Sequence, residues 1–555
     1  MKRARRVLRS AWLHYLLIGI VPILLAWLYL GTLVREGVGL GFPLDDSWIH
    51  LRFAENLASG HGFAFNPDQP STGATSPLWI LVLAAGLVVM RSPFVAAYVL
   101  GVAFTIAACV VVYKIALTLL DSRGFALAAG VLTAITAPMA WASLSGMEPP
   151  LYTFLTLLGI YAYLGARAGR ARLNYAWPAL LALATLARPE CGLVFVLALA
   201  DAWLLELQAS GRRALGPLLR LTGLSLAIFV ALLLPDLVRN LVVSGRPFPS
   251  TLYAKTQSAG VFSPILSQIQ QGDWTSLGIR LFVVPRRWLV DTLETAANNN
   301  PLLLILFGVG LVEIVRLALQ DPSGALQGPR GARSPEGRHR SLLLPLIILA
   351  VPPLMAVLTP VAMPSFQDQR HVAHLVPMFV LVGLLGAFRL AGLAGACAAR
   401  SRLRIGLLGL LLALTFGTGL LMVRYGADRY ALGVKNINRL HVAVAVWLRD
   451  HTPRDAVVAA QDVGAIGAIA DRRVVDLGGL VTPEIIPFKW DDRRIVEYLE
   501  RVKPDYLVIL PVDRPILRER TDLFTPVYAA QIPSEDLLTA SSNYIVVYRT
   551  IWARG

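Results

Sequence analysis

The sequence predicts an all-α bundle that crosses a membrane many times and ends in a soluble α/β domain. Three observations predict it. Hydrophobic residues make up 56% of the 555 and charged residues only 15%, against roughly 45–50% and 25% in a globular protein; mean hydropathy is +0.60. Apolar runs near or above the roughly 17–25 residues that cross a bilayer recur through the first 423 residues. After Arg424 charge rises, those runs cease, and strand-like segments alternate with helical ones. Length alone, at roughly 150 residues per domain, suggests three or four soluble domains; composition excludes them.

The long apolar runs fall at about 11–33, 94–119, 124–141, 149–166, 220–238, 299–319, 342–361, 372–393 and 405–423, with shorter ones at 76–90, 174–187 and 191–207. The first follows the basic segment Lys2 to Arg9. It is too long for a signal peptide and lacks a small-residue cleavage site, so it reads as an uncleaved span. Loops rich in Lys and Arg mark the cytoplasmic side. That rule puts Arg167–Arg172, Arg212–Arg220, 320–341 and Arg400–Arg404 inside, and 34–75, 239–297 and Pro360–His371 outside. Counting every run gives twelve spans and an inside C-terminus. Walking backwards from an outside tail conflicts with that count between residues 76 and 123. An odd count of 11 or 13, with the tail outside, satisfies the basic loops. The chain therefore divides into a membrane domain, 1–423, and an extracytoplasmic domain, 424–555. In the tail, Ala456–Ala460, Arg473–Leu477, Tyr506–Leu510 and Tyr544–Tyr548 read as strands, with helices at 435–450 and 492–502. About 130 residues suffice for one modest core.

A net charge of +16 and a pI near 10.1 ordinarily raise nucleic acid as a partner. Here the cations lie in short clusters between apolar runs, where they set topology beside anionic lipid. Cys109, Cys191 and Cys397 sit within apolar stretches, with neither a disulfide framework nor metal-ligand spacing. No Walker A loop, HExxH or GxSxG is present, which argues against an ATP-driven pump, a zinc protease or a serine hydrolase. Asp462, Gly464 and Gly467 keep only a GxxG spacing after a strand and read as a strand-to-helix turn.

The chemistry concentrates in the first outer loop, Gly41 to Pro67. Asp45 and Asp46 are adjacent carboxylates that repel, so one pKa should rise, which suits a general base. An aspartate opening a helix is also an ordinary N-cap. The helix that follows is expected to lie along the membrane interface on Leu51, Ala54 and Ala58 and to end at Gly60–Gly62. Arg188 and Glu190 flank Pro189 at a span end. A charge within a membrane segment costs about 2.5–3.5 kcal/mol on insertion scales, so these two need partners, each other or a ligand. Glu148 and the Gln367–His371 turn, with Arg370 and His371, are further polar groups at span ends. His371 and His374 share a helix face but lack a third metal ligand. Trp48 and Trp79 suit either sugar stacking or the aromatic belt at the interface.

Several of these motifs together resemble the GT-C glycosyltransferases. They are Asp45-Asp46 after the first span, Glu55 to Gly62, Asn66-Pro67, Thr75 to Trp79, Ser145-Gly146-Met147-Glu148-Pro149, Ala187-Arg188-Pro189-Glu190, Gly245 to Thr256, and Asp462 to Gly467. The branch most similar contains bacterial terminal arabinofuranosyltransferases and aminoarabinose/mannosyl transferase-like proteins, and the likeness runs from about residue 10 to 550. The resemblance implies a multi-pass cell-membrane enzyme that moves a sugar, with inversion, from a polyprenyl phosphate to a hydroxyl of a cell-envelope glycan, lipid or protein. It implies a catalytic base at Asp45 or Asp46, with Asp45 favoured because it begins the motif. It assigns Arg188 to the donor phosphate, with Lys255 a weaker match. Trp48 stands where relatives carry a basic residue, so Arg52 is the candidate to complete that clamp. Glu148, Glu190, Tyr253, Arg370 and His371 are candidates to bind sugar or acceptor. Some relatives use a divalent cation, for which Asp45 with Glu148 is the candidate pair. A sugar on a phosphate already has a good leaving group, so the protein needs a carboxylate for the acceptor proton and Arg or Lys for the phosphate. The rival readings are a transporter or flippase, which usually shows internal repeats absent here, and a relative that binds polyprenyl lipid without catalysis.

Overall fold

The computed structural model describes residues 2–170, 173–256, 262–319, 341–358, 363–395 and 401–554. Arg172, Pro360, Cys397, Arg400 and nearly all of the basic 321–341 loop lie outside them. Among the described residues, four helical stretches are long and apolar enough to cross a membrane: Ala11–Arg35, Pro93–Leu120, Pro189–Ser244 and Leu408–His451. The run expected at 124–141 is two helices, Arg123–Ala134 and Ala137–Leu144, bent by 57°. Pro138 explains the break, because its ring clashes with the carbonyl four residues back, at Ala134, and it offers no N–H. Shorter apolar helices, Pro77–Met90, Ala176–Ala187, Leu343–Leu358 and Leu375–Ala391, complete the bundle. At 1.5 Å per residue the 14-residue Pro77–Met90 helix reaches about 21 Å, short of the roughly 30 Å hydrocarbon core. It lies in the stretch where the two topology walks conflict.

Outward-facing Leu16, Leu24, Trp27, Val242 and Leu421 are each more than half exposed. An apolar exterior on this scale belongs against lipid, not water. Inside, the Pro301–Leu319 and Leu375–Gly395 helices cross at glycine. A Cβ at Gly310 would lie 1.9 Å from the Val382 carbonyl oxygen, and one at Gly386 equally near that of Leu306. Small residues at such crossings let membrane helices approach closely.

The composition change at residue 424 has no counterpart in the backbone. The Ser401–Ile437 helix runs past it and continues through a π-turn, Asn438–Val442, into the Ala443–His451 helix. Five strands follow: β1 (Val457–Ala460), β2 (Arg473–Asp476), β3 (Tyr506–Ile509), β4 (Phe524–Gln531) and β5 (Tyr544–Thr550). Their order is β2-β1-β3-β5-β4. β1 pairs in parallel with β2 and β3, and β5 runs antiparallel to β3 and β4. The Asp492–Val502 helix, capped by Asp491, buries Ile495, Val496 and Leu499 against the sheet. β4 escaped sequence reading because it is an edge strand with a register shift after Pro526, and most of its residues stay uncovered. Proline and a half-exposed pattern are what edges tolerate.

The loop after the first span lies between bundle and sheet. Its Asp45–Ala58 helix buries Leu51 and Ala54 within the protein, while Ala58 is exposed. The helix is thus held by protein on the face expected to meet lipid. Gly60 and Gly62, both at positive φ, end it as anticipated.

Candidate active site

The Asp45–Ala58 helix opens without a side-chain cap, and its first turn carries both carboxylates, where the helix dipole favours negative charge. Neighbouring helical residues point about 100° apart, so the two diverge. Asp46 turns to the bundle, where its Oδ2 accepts from Arg370 Nη2 at 2.6 Å. Asp45 turns to the C-terminal domain, where its two oxygens accept from the backbone N–H groups of Gly464 (2.7 Å) and Ala465 (2.8 Å).

Arg188 owes its place to Pro189. A residue before proline is pushed out of the α region, and Arg188 has φ −159° and ψ 122° at the end of the Ala176–Ala187 helix. Its guanidinium thereby leaves the helix and meets Glu148, Glu190 (3.2 Å) and His371 Nδ1. Arg188 is 7% exposed and Glu148 1%, so the pairing that their burial demands is present. Glu148 directly precedes the Pro149–Arg167 helix without capping it through its side chain, and the loop before it is fixed by the first-loop elements. Ser47 Oγ donates to Ser145 O at 2.8 Å and Trp79 Nε1 to Gly146 O at 3.1 Å. Gly146 has φ +74°, and a Cβ there would lie 2.5 Å from the Phe42 ring. Arg370 and His371 follow three consecutive left-handed residues, Gln367, Asp368 and Gln369. Tyr152 latches this turn by donating to Arg370 O (2.5 Å) and accepting from Ala373 N (3.0 Å).

Asp46, Glu148, Arg188, Glu190, Arg370 and His371 therefore form one cluster, joined by His50. His50 Nδ1 lies 3.5 Å from Glu148 Oε2, and neither atom has a hydrogen-bond partner among the described residues. Lys255 stands at the exposed rim, near enough for Asp46 to feel its charge. The other expected residues lie elsewhere. Arg52 donates to Phe65 O and Asp471 Oδ1 (2.9 Å), tying the first loop to the C-terminal domain. Tyr253 is buried beside Ile486 and Leu480, under the Arg246 guanidinium. Trp79 is fully buried and Trp48 packs against Phe42 and Phe94; neither faces lipid or an open cleft. His50 and Tyr152 carried no assigned role in sequence, yet each lies four residues after an acidic one, Asp46 and Glu148. That spacing puts them on one helix face.

The electrostatics separate the paired aspartates. Burial would raise the Asp46 carboxyl, but the charges of Arg370 and Lys255 outweigh it and hold the pKa well below the usual carboxylate range. Burial dominates at Asp45, joined by Asp462 and opposed by His441 and the two N–H bonds, and raises its pKa to about 6. Burial together with Arg188 lowers His371 to about 3, so its neutral ring can accept from the guanidinium. About a third of the Asp46 side chain (35%) is exposed, leaving it open to a ligand.

Each member of the candidate metal pair is held by other partners. Both oxygens of Asp45 are occupied by N–H donors, and Glu148 is neutralised by Arg188. No group of three or more His, Cys, Asp or Glu residues suited to a metal ion occurs among the described residues. As arranged, Asp45 faces peptide N–H groups and Glu148 faces a guanidinium, and the two do not fit a divalent ion.

Behind the Arg370 turn lies a narrow, mostly apolar cleft lined by Leu132, Leu303, Val376 and Phe379, with Gln369 and Val372 from the turn itself. One short segment thus presents cations to one side and a greasy wall to the other.

An apolar bundle, a helical loop inserted after the first span and a small C-terminal sheet together make a fold that solved structures share. Among solved structures, ArnT from Cupriavidus metallidurans bound to undecaprenyl phosphate aligns over 98% of this chain and 99% of its own, at 14% identity and a TM-score of 0.52. The archaeal oligosaccharyltransferase AglB from Archaeoglobus fulgidus, in complex with an inhibitory peptide and a dolichol-phosphate, aligns over 89% of this chain and 69% of its own, at 13% identity and a TM-score of 0.57. A complex of the Archaeoglobus fulgidus oligosaccharyltransferase with Zn and sulfate aligns at 13% identity, over 89% and 67%, with a TM-score of 0.57. Residues 434–552 match a family model described as a domain of unknown function (DUF8728). No curated protein matches the sequence. At these identities the likeness defines the fold of a multi-pass membrane protein.

Proposed function

We propose that the protein is an inverting, membrane-embedded glycosyltransferase. It transfers a sugar from a polyprenyl phosphate to a hydroxyl of a cell-envelope glycan, lipid or protein, on the extracytoplasmic side. The observation that carries this reading is the partly exposed Asp46 carboxylate facing Arg370 and Lys255, with Arg188 in the same cluster. Polyprenyl phosphates bound to structures of the same fold support it.

In this reading Asp46 is the base. Substrate phosphate draws Arg370 and Lys255 toward itself, which relieves their hold on the carboxylate and raises its basicity as the acceptor hydroxyl arrives. Asp46 takes the hydroxyl proton while the acceptor oxygen attacks the anomeric carbon from the face opposite the phosphate. The C–O bond to phosphate breaks, and the departing anion is stabilised by guanidinium forks. Arg188 is held for that task by Glu148, Glu190 and His371.

The test is sugar transfer from a radiolabelled polyprenyl-phosphate sugar in proteoliposomes, with Asp45→Asn and Asp46→Asn compared to wild type. Asp46→Asn should abolish transfer. Full activity in Asp46→Asn removes the base assignment.

A further inference from the structure

We infer that the C-terminal domain positions the catalytic carboxylate: the Gly464–Ala465 backbone grips Asp45 and thereby fixes the neighbouring Asp46. This rests on the reading of Asp46 as the base. It gives residues 434–552, which match a domain of unknown function, a part in the reaction.

Both oxygens of Asp45 are used in the grip, at 2.7 and 2.8 Å, by donors more than 400 residues away in sequence. Gly464 admits nothing larger. A Cβ there would lie 2.1 Å from the Asp45 carbonyl oxygen and 2.8 Å from its Cγ. The grip is backed from behind by His441, 3% exposed, whose Nε2 lies 3.0 Å from Asp462 Oδ2, two residues before Gly464. Further ties join the same two pieces. Asn66 and Val474 exchange two hydrogen bonds of 2.9 Å, and a Cβ on Gly467 would meet the Phe65 ring at 2.3 Å. The first loop is therefore seated on the domain along its length, and Asp45 is its contact nearest the cluster. Asp46 is one peptide unit away and is held from the opposite side by Arg370. Moving either anchor displaces the carboxylate relative to the cations. Misplacement of a reacting group by about 1 Å can cost about a hundredfold in rate.

Ala465→Pro tests this from the far side of the contact. Ala465 already has φ −62°, which proline adopts, but the N–H to Asp45 is lost and a methylene faces the carboxylate. Full-length protein in proteoliposomes should show kcat about tenfold lower, with KM for the lipid donor within about twofold. Asp45→Asn should do the same, and the double variant should be no slower than the slower single variant, because both break one contact. Wild-type kcat in Ala465→Pro, or rate losses that multiply in the double variant, overturns the inference. If Ala465→Pro fails to fold, Asp45→Asn and Asp45→Ala read the contact from its other side, and wild-type kcat in both overturns the inference. Inactive Asp46→Asn beside unaffected Ala465→Pro sinks the positioning role alone. Active Asp46→Asn sinks the base reading instead.

Discussion

Asp45 and Asp46 share a peptide bond and almost nothing else. One faces backbone N–H groups of the sheet domain, with a pKa raised to about 6 by burial. The other faces arginine and lysine and is held strongly acidic. The partner set, not the residue type, decides which carboxylate is anchored and which is presented to a ligand. Pairs of titratable groups pushed apart in this way divide the labour of a site.

That contrast breaks most sharply at Asp46. Its replacement by Asn should lower transfer by roughly 10²–10⁴-fold, the range of a lost general base, read as radiolabel moved from the lipid donor; a loss below tenfold would contradict the role. Arg188→Met comes next. It leaves Glu148 and Glu190 buried without their counter-charge, so stability in detergent should fall by about 3–5 kcal/mol, while Arg188→Lys keeps the charge and loses the fork. An unchanged melting temperature in Arg188→Met would show the cluster to be loosely held.

The anchored side is sharpened by pH. With its folded pKa raised from 3.8 to about 6, Asp45 binds its proton more tightly folded than unfolded. Its stabilising contribution is complete below pH 3.8 and is lost as pH rises through 6. His441, Asp462 and the two peptide N–H groups face it. Asn does not titrate, so between about pH 5 and about pH 7.5 the melting temperature of Asp45→Asn should gain about one degree on wild type. A constant gap would mean that Asp45 does not titrate there. The smallest effect belongs to Asp471→Asn. Its side chain is 73% exposed, so removing its pair with Arg52 should cost about 0–1 kcal/mol and leave donor affinity unchanged in a lipid-binding titration.

Much of the architecture was legible because apolar length and strand alternation are local properties. The tail strands at 457, 473, 506 and 544 and the helix at 492–502 were readable from pattern alone. β4 was not, because an edge strand needs no alternating face. The GxxG of Gly464 and Gly467 read as a turn. What it receives, Asp45 and Phe65, comes from the loop after the first span, and nothing near residue 464 announces them. Arg52 and Tyr253 show the converse: suitable residue types in resembling motifs, placed by packing at the domain contact.

By itself the sequence determined a membrane bundle, an α/β tail, the acidic pair and the Arg188-Pro189 break, because hydropathy and proline sterics act within a few residues. Only the tertiary structure decided which aspartate meets Arg370, that Glu148 and Glu190 share Arg188, and that the tail grips the first loop. Those choices depend on side chains far apart in the chain, whose charges must be paired wherever burial removes water.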